Sequence, residues 1–320
     1  MNAQANGVIL VSPVFNEQEV IHEFLTRVAA VAKSTGLQGL VIVDDGSRDK
    51  TCDVIADFAQ VSDHLRIRVV RLSRNFGHQN ATLAGLTVAE RWAQDLNVPF
   101  VALIDADLQD RPEHLQDLLD TMETSDVAYA VRRSRAEGPF FKFAANVFYN
   151  VLSKTSNLKV PRYAGTFSVM RTHVVRAILS NSDNLPYLPG LRAWAGFRQR
   201  GVSLDRDARH AGDSRVGFRG LFRLAINAVF AYSNLPIVLI AFLGTFTLAI
   251  SFVAAFTIIV LRLAGLVEVQ GTALIIVSIF FSLGVQSIFL LIIAYSIRRL
   301  AADAGRRSAF VIMEDRLLNE

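Results

Sequence analysis

Short apolar runs alternate with stretches of helical spacing through residues 8–131, and this alternation limits the possible folds more than any other feature of the chain. The runs fall at 8–15, 40–43, 67–70, 101–104 and 127–131. After the first, Val20, Ile21, Phe24, Leu25, Val28 and Val31 recur with a period near 3.6, which predicts a helix over 17–32. Helices are likewise expected over 51–59, 80–93 and 112–122, the last with Pro112 at its first position, where the missing N–H costs nothing. Strands alternating with helices predict an α/β fold built on a mostly parallel sheet with right-handed crossovers.

In such sheets, ligands bind beyond the carboxyl ends of the strands. Three of the runs end in acidic or amide residues: Asn16-Glu17, Asp44-Asp45, and Asp105-Ala106-Asp107. Side chains alternate along a strand, so Asp105 and Asp107 emerge on the same side. Two carboxylates so placed suit a hard divalent cation that keeps waters and holds a substrate's phosphates. Asp and Asn also favour turns and helix caps. That accounts for one such strand end more easily than for three on a single rim.

Composition matters where it is uneven. Of the 320 residues, 52% are hydrophobic and only 19% charged, and the excess gathers in the last third. Residues 236–261 and 272–297 contain no charge, and each stretch exceeds the roughly 20 residues that cross a bilayer. Arg219 and Arg223 precede them, and Arg298, Arg299, Arg306 and Arg307 follow. The positive-inside rule then predicts two transmembrane helices with both termini in the cytoplasm. Gln286, inside the second stretch, could bond to a neighbouring helix or subunit, which leaves room for a homo-oligomer. The polar start of the chain lacks a basic segment ahead of a long apolar core, so no cleaved secretory signal is expected. Cys52 is the single cysteine, which excludes an intrachain disulfide and a Cys-based zinc site. The net charge of +4 is spread without a basic tract, so nucleic acid is not an expected partner.

The middle of the chain reads as phosphate handling beside lipid. Arg132, Arg133 and Arg135 follow the last run, and the guanidinium fork suits phosphate oxygens, although a solvated basic loop would read the same. Aromatic residues from Phe140 to Tyr149, beside Lys142 and Lys154, fit either an interfacial helix or a core helix. Arg215, Arg219 and Arg223 recur every four residues and share one helix face, which can meet anionic membrane lipid at about 1 kcal/mol per residue.

Taken in order, Pro13-Val14-Phe15-Asn16-Glu17, Val43-Asp44-Asp45-Gly46-Ser47-Arg48-Asp49, Arg74-Asn75-Phe76-Gly77 and Asp105-Ala106-Asp107-Leu108-Gln109 resemble the motifs of family 2 glycosyltransferases. More narrowly, the chain resembles the dolichyl-phosphate mannose synthase group and the bacterial undecaprenyl-phosphate glycosyltransferases. The resemblance runs through most of the chain. It implies a Rossmann-like GT-A domain, a nucleotide-sugar donor (a UDP-sugar ahead of a GDP-sugar), Mg²⁺ or Mn²⁺, a polyprenyl phosphate acceptor and inversion at the sugar carbon.

Carried over by residue, Asp45 would contact the base or ribose, with Pro13, Asn16 and Glu17 nearby, and Arg74 and Arg132 would approach the nucleotide. Asp105, Asp107 and Gln109 would hold the metal–diphosphate unit, with Asp105 and Asp107 as the metal ligands. Arg209, Ser214 and Arg215 match an Arg-Ser-Lys motif, with Arg215 in the lysine position, and would gather the donor diphosphate or the lipid phosphate. His78 stands where many relatives have lysine and receives no role. Close relatives keep Gly-Asp-Phe-Arg where this chain has Gly165-Thr166-Phe167-Ser168, so a carboxylate and a guanidinium are absent.

The expectation is therefore a membrane-anchored, inverting glycosyltransferase of the bacterial inner membrane. Its GT-A domain would cover 1–210, an interfacial region 211–234, a two-helix transmembrane domain 235–297 and a cytoplasmic tail 298–320. Transfer to another lipid such as diacylglycerol, or a catalytically silent nucleotide-sugar-binding membrane protein, are the alternatives.

Overall fold

The computed structural model describes residues 7–62, 65–132, 164–180, 188–205 and 309–319, with separate positions between 253 and 300. The chain divides into two units: a larger one of residues 1–153, 158–223 and 308–320, and a smaller one of 154–157 and 224–307.

The larger unit meets the α/β expectation with an eight-stranded sheet. In chain order its strands are β1 (Val8–Val14), β2 (Leu37–Asp44), β3 (Ile67–Leu72), β4 (Phe100–Leu103), β5 (Val127–Arg132), β6 (Ala164–Arg171), β7 (Gln199–Leu204) and β8 (Ile312–Leu317). Their spatial order is β7-β5-β6-β4-β1-β2-β3-β8. Strands β4, β1, β2 and β3 run parallel, as do β5 and β7, whereas β6 is antiparallel to both its neighbours and β8 is antiparallel to β3.

Every residue of β1 is buried, as a central strand covered on both faces requires. Alternation along the strands builds two cores. Leu10 and Ile42 meet α1 (Ile21–Thr35), α2 (Thr51–Val61) and α4 (Leu115–Thr121) on one face. Ile9, Val11, Val41 and Val43 meet α3 (His78–Asp95), α5 (Thr172–Leu179) and α6 (Leu188–Ala195) on the other. Helix α3 sits flush on the sheet at Gly85, where a Cβ would come within 2.5 Å of Val11 and 2.7 Å of Val43. The segment expected as a helix over 112–122 begins with a 3-10 turn, Pro112–His114, before α4.

The two transmembrane helices are overturned. Among the described residues no helix is long and apolar enough to cross a membrane. A crossing takes about 20 residues of continuous apolar helix. Absence of charge over 236–261 and 272–297 supplies only the composition for that, and the longest described run within them is 292–297. Most of 236–261 and nearly half of 272–297 lie outside the described residues, as do the aromatic segment 140–149 and the basic face from Arg215 to Arg223. The membrane-anchored enzyme, the integral placement in a bacterial inner membrane and the cytoplasmic assignment of both termini rested on those spans and fall with them.

The C-terminal segment, expected only as a tail, returns to the sheet. Strand β8 pairs with β3 from Arg68↔Leu317 to Leu72↔Ile312. Arg68 holds Asp315 through two hydrogen bonds, of 2.6 and 3.0 Å. Beyond the strand, the Asn319 side chain accepts from the Ile67 N–H at 2.8 Å and donates to the carbonyls of Ser62 and Leu65 at 2.8 and 2.9 Å. One amide thus satisfies main-chain groups on both sides of the α2–β3 turn. Asn319→Ala is expected to lower stability by about 2 kcal/mol, since it leaves several part-buried backbone groups without partners. Chemical denaturation followed by circular dichroism measures the change.

Candidate active site

Because β1 to β4 are parallel, their carboxyl ends open on one rim, and the loops there are tied to one another by side chain–backbone hydrogen bonds. Asn16 adopts φ 53, a conformation that Asn tolerates better than most residues. Its N–H donates to Ser47 Oγ, and its Oδ1 accepts from the Arg48 N–H, both at 2.9 Å. The Glu17 N–H donates to Thr51 Oγ1 at 2.9 Å, and the Gln18 N–H to Asp49 Oδ2 at 3.2 Å. In return, Gln18 Oε1 accepts from the Lys50 N–H at 3.1 Å. The loop after β1 and the loop after β2 therefore form one hydrogen-bonded body. Burial alone would raise the Asp49 carboxyl, but the donors of Thr51 and Gln18 outweigh it and hold the group below the ordinary carboxylate range.

At the end of β2 the alternation of side chains sends consecutive carboxylates to opposite faces. Asp44, fully buried, accepts from the Ser47 N–H at 2.9 Å and from Arg71 Nε at 3.4 Å. Asp45 turns towards α3, and its two oxygens accept from the Phe76 and Gly77 N–H groups at 2.7 and 2.9 Å. Burial raises the Asp45 carboxyl, with the two N–H donors working against it. The loop after β3 passes so close that a Cβ on Gly46, at φ 75, would lie 2.9 Å from the backbone of Arg74 and Asn75. Asp45, expected at the base or ribose, thus holds the loop that carries Arg74. The Arg74 guanidinium sits 4.0 Å over the Phe76 ring. Pro13 lies within β1, paired with Val43.

Strand β4 delivers the acidic pair. Asp105 and Asp107 lie past the end of β4, which closes at Leu103, and both are partly exposed while Ala106 between them is buried. Asp107 Oδ1 accepts from the Gln109 N–H at 3.1 Å across Leu108, which is fully buried at φ 58. A bulky residue in the left-handed region carries strain of order 1–3 kcal/mol, held here by burial. Gln109 is itself buried. His78, the first residue of α3, places Nε2 3.4 Å from Asp105 Oδ1. Among the described residues no cluster of three or more His, Cys, Asp or Glu could hold a metal. Two hard oxygen donors at the rim nevertheless fit Mg²⁺ or Mn²⁺, which are commonly held by one or two carboxylates with substrate phosphates and water completing the shell.

Beside the pair runs β6, with Ser168 opposite Leu103. Ser168 is fully buried and its hydroxyl donates to the Thr166 carbonyl at 2.9 Å, so it serves the backbone. Thr166 is partly exposed. Sequence reasoning gave no role to Arg192 of α6, which is 1% exposed. Its Nη2 donates to the Gly165 carbonyl at 3.0 Å, and its guanidinium lies 5.2 Å over the Tyr129 ring. A lone cation amid the apolar positions of 188–195 was the available signal. Arg209, Ser214 and Arg215, with the side chain of Arg132, lie outside the described residues.

Comparison with known proteins finds relatives along nearly the whole chain. The family model described as "Glycosyl transferase family 2" matches residues 9–179. An uncharacterized glycosyltransferase of Synechocystis sp. is 33% identical, with 95% of this chain and 94% of that protein covered. The bactoprenol glucosyl transferase of Shigella phage SfV is 31% identical, covering 97% and 99%. The undecaprenyl-phosphate 4-deoxy-4-formamido-L-arabinose transferase of Shewanella sediminis is 27% identical, covering 98% and 93%.

Cys52, at the start of α2, has a thiol pushed up to about 12 by burial, by the charge of Asp44 and by donation to that carboxylate. The protonated thiol should alkylate slowly at neutral pH and readily once the chain unfolds, as mass spectrometry after iodoacetamide treatment would record. Its folded value exceeds the ordinary 9.0, so between about pH 9 and about 12 the folded state binds more protons than the unfolded one. This contribution to stability is present below that window and is lost as pH rises through it, which denaturant midpoints across the range would measure.

Proposed function

The chain belongs to glycosyl transferase family 2, and on that premise we propose that it moves a sugar from a nucleoside-diphosphate donor to a polyprenyl phosphate, with a divalent cation held at Asp105 and Asp107. The observation that carries the reading is this carboxylate pair on the rim, beside strand-end loops that are already tied together. The acceptor is supported by two relatives, named for undecaprenyl phosphate and bactoprenol, that align along nearly the whole chain.

In this reaction the bond between the sugar carbon and the donor diphosphate breaks, and a bond from an acceptor phosphate oxygen forms. Negative charge develops on the leaving diphosphate, and a bound Mg²⁺ or Mn²⁺ supplies the charge to stabilise it. The chain's own contribution is a preorganised rim. Asp45 fixes the loop bearing Arg74 against the nucleotide, and Asn16 and Glu17 set the loop on the other side, with a UDP-sugar favoured over a GDP-sugar. Arg209, Ser214 and Arg215 would supply donors to the diphosphate or the acceptor phosphate. A polyprenyl phosphate is already ionised near neutral pH, so its attacking oxygen needs little help from a general base. Thr166 and Ser168, in place of a charged pair, are compatible with that chemistry.

The test uses the purified full-length chain in detergent with Mn²⁺, radiolabelled nucleotide-sugars and undecaprenyl phosphate, and counts label entering the organic phase. Asp107→Asn is expected to reduce transfer by about 10²-fold or more and to weaken Mn²⁺ binding measured by electron paramagnetic resonance. Wild-type transfer by Asp107→Asn would overturn the site. Nucleotide binding without transfer from any donor would instead mark a silent member of the family.

A further inference from the structure

The buried carboxylate of Asp44 has no part in the chemistry above, yet it lies one residue from the donor rim. A buried carboxylate is tolerated only when paired and hydrogen-bonded. Among the described residues Arg71 is the cation within salt-bridge distance, 3.4 Å away, and it is only 36% exposed. Arg71 in turn approaches Glu314 of the C-terminal strand, 3.9 Å from Nη1 to Oε2. These three residues are register partners: Asp44 faces Arg71 across β2 and β3, and Arg71 faces Glu314 across β3 and β8. They form an acid–base–acid row across three adjacent strands, the arrangement in which cross-strand charges are favourable. Glu314 also lies 3.8 Å from Arg316 on its own strand.

The row ends in the rim. Asp44 Oδ1 holds the Ser47 N–H, and Ser47 Oγ accepts the Asn16 N–H. A continuous chain of contacts thus runs from Glu314, near the end of the sequence, to the loops after β1 and β2.

We infer that the C-terminal strand is a working part of the donor site, with Arg71 and Glu314 as positioning residues that set the loop 44–51 for the nucleotide. The inference rests on the donor-site reading above. Docking of β8 orients Arg71, Arg71 holds Asp44, and Asp44 fixes the turn that presents Ser47 and Asn16. The last residues of the chain thereby govern donor affinity without touching the donor.

Asp315 provides the control. It bonds Arg68 across the same two strands, outside the row. The full-length chain is compared with Glu314→Gln, Arg71→Lys and Asp315→Asn by amide hydrogen exchange at Asn16, Ser47 and Arg48, by calorimetric titration with UDP and Mn²⁺, and by thermal melting. Glu314→Gln should speed exchange at those amides, weaken UDP binding about five-fold and raise donor KM with kcat unchanged. Arg71→Lys, which keeps the charge but loses the fork, should show the same shifts. Asp315→Asn should lower the melting temperature and leave loop exchange and UDP affinity at wild-type values. Equal shifts in UDP affinity for Glu314→Gln and Asp315→Asn, or unchanged loop exchange in Glu314→Gln, would overturn the inference. Exchange tests the row, and UDP titration of the unsubstituted chain tests the donor reading, so the two fail separately.

Discussion

Two adjacent carboxylates at the end of β2 leave the sheet on opposite faces, and the rim depends on that divergence. Asp44 turns to the face of α1 and α2 and captures Ser47 and Arg71; Asp45 turns to the face of α3 and captures Phe76 and Gly77. Hydrogen bonds to a charged group contribute about 1.5–3 kcal/mol each, roughly twice the neutral kind. One strand end therefore fastens both flanking loops to the same point, and a carboxylate that looks like a ligand contact acts first as a scaffold.

From that point the order of the sheet does the rest. Parallel β1, β2, β3 and β4 bring Asn16, Asp45, the 74–77 loop and Asp105 to one edge, although they are far apart in sequence. Asp105 and Asp107 lie past the end of β4, beyond the reach of its pleat; His78 approaches the first and the Gln109 N–H donates to the second. Both residues are partly exposed beside a buried Ala106. The antiparallel β6 then closes the near side, with Ser168 serving its own backbone and Arg192 holding Gly165 from behind.

Much of this was legible in advance, for reasons specific to each element. Strands β1, β2 and β4 read cleanly because both faces are buried along almost their whole length and each carries a continuous apolar run. Strand β8 did not, since it lies at the sheet edge with Met313 59% exposed and Glu314 and Asp315 facing cationic partners on β3. Its polar sequence makes sense only against Arg68 and Arg71. The charge-free stretches after residue 235 misled in the other direction, because hydropathy reports composition and a crossing requires a continuous helix.

By itself the sequence determined the α/β alternation and the carboxylate-tipped strand ends, since both follow from local periodicity. Only the tertiary structure decided that Asp45 binds the 74–77 backbone, that Arg192 is buried behind Gly165 and that the strand Ile312–Leu317 joins the sheet edge beside β3. Those depend on which distant groups meet, and hydrogen-bond partners separated by tens or hundreds of residues leave no period in the sequence to read.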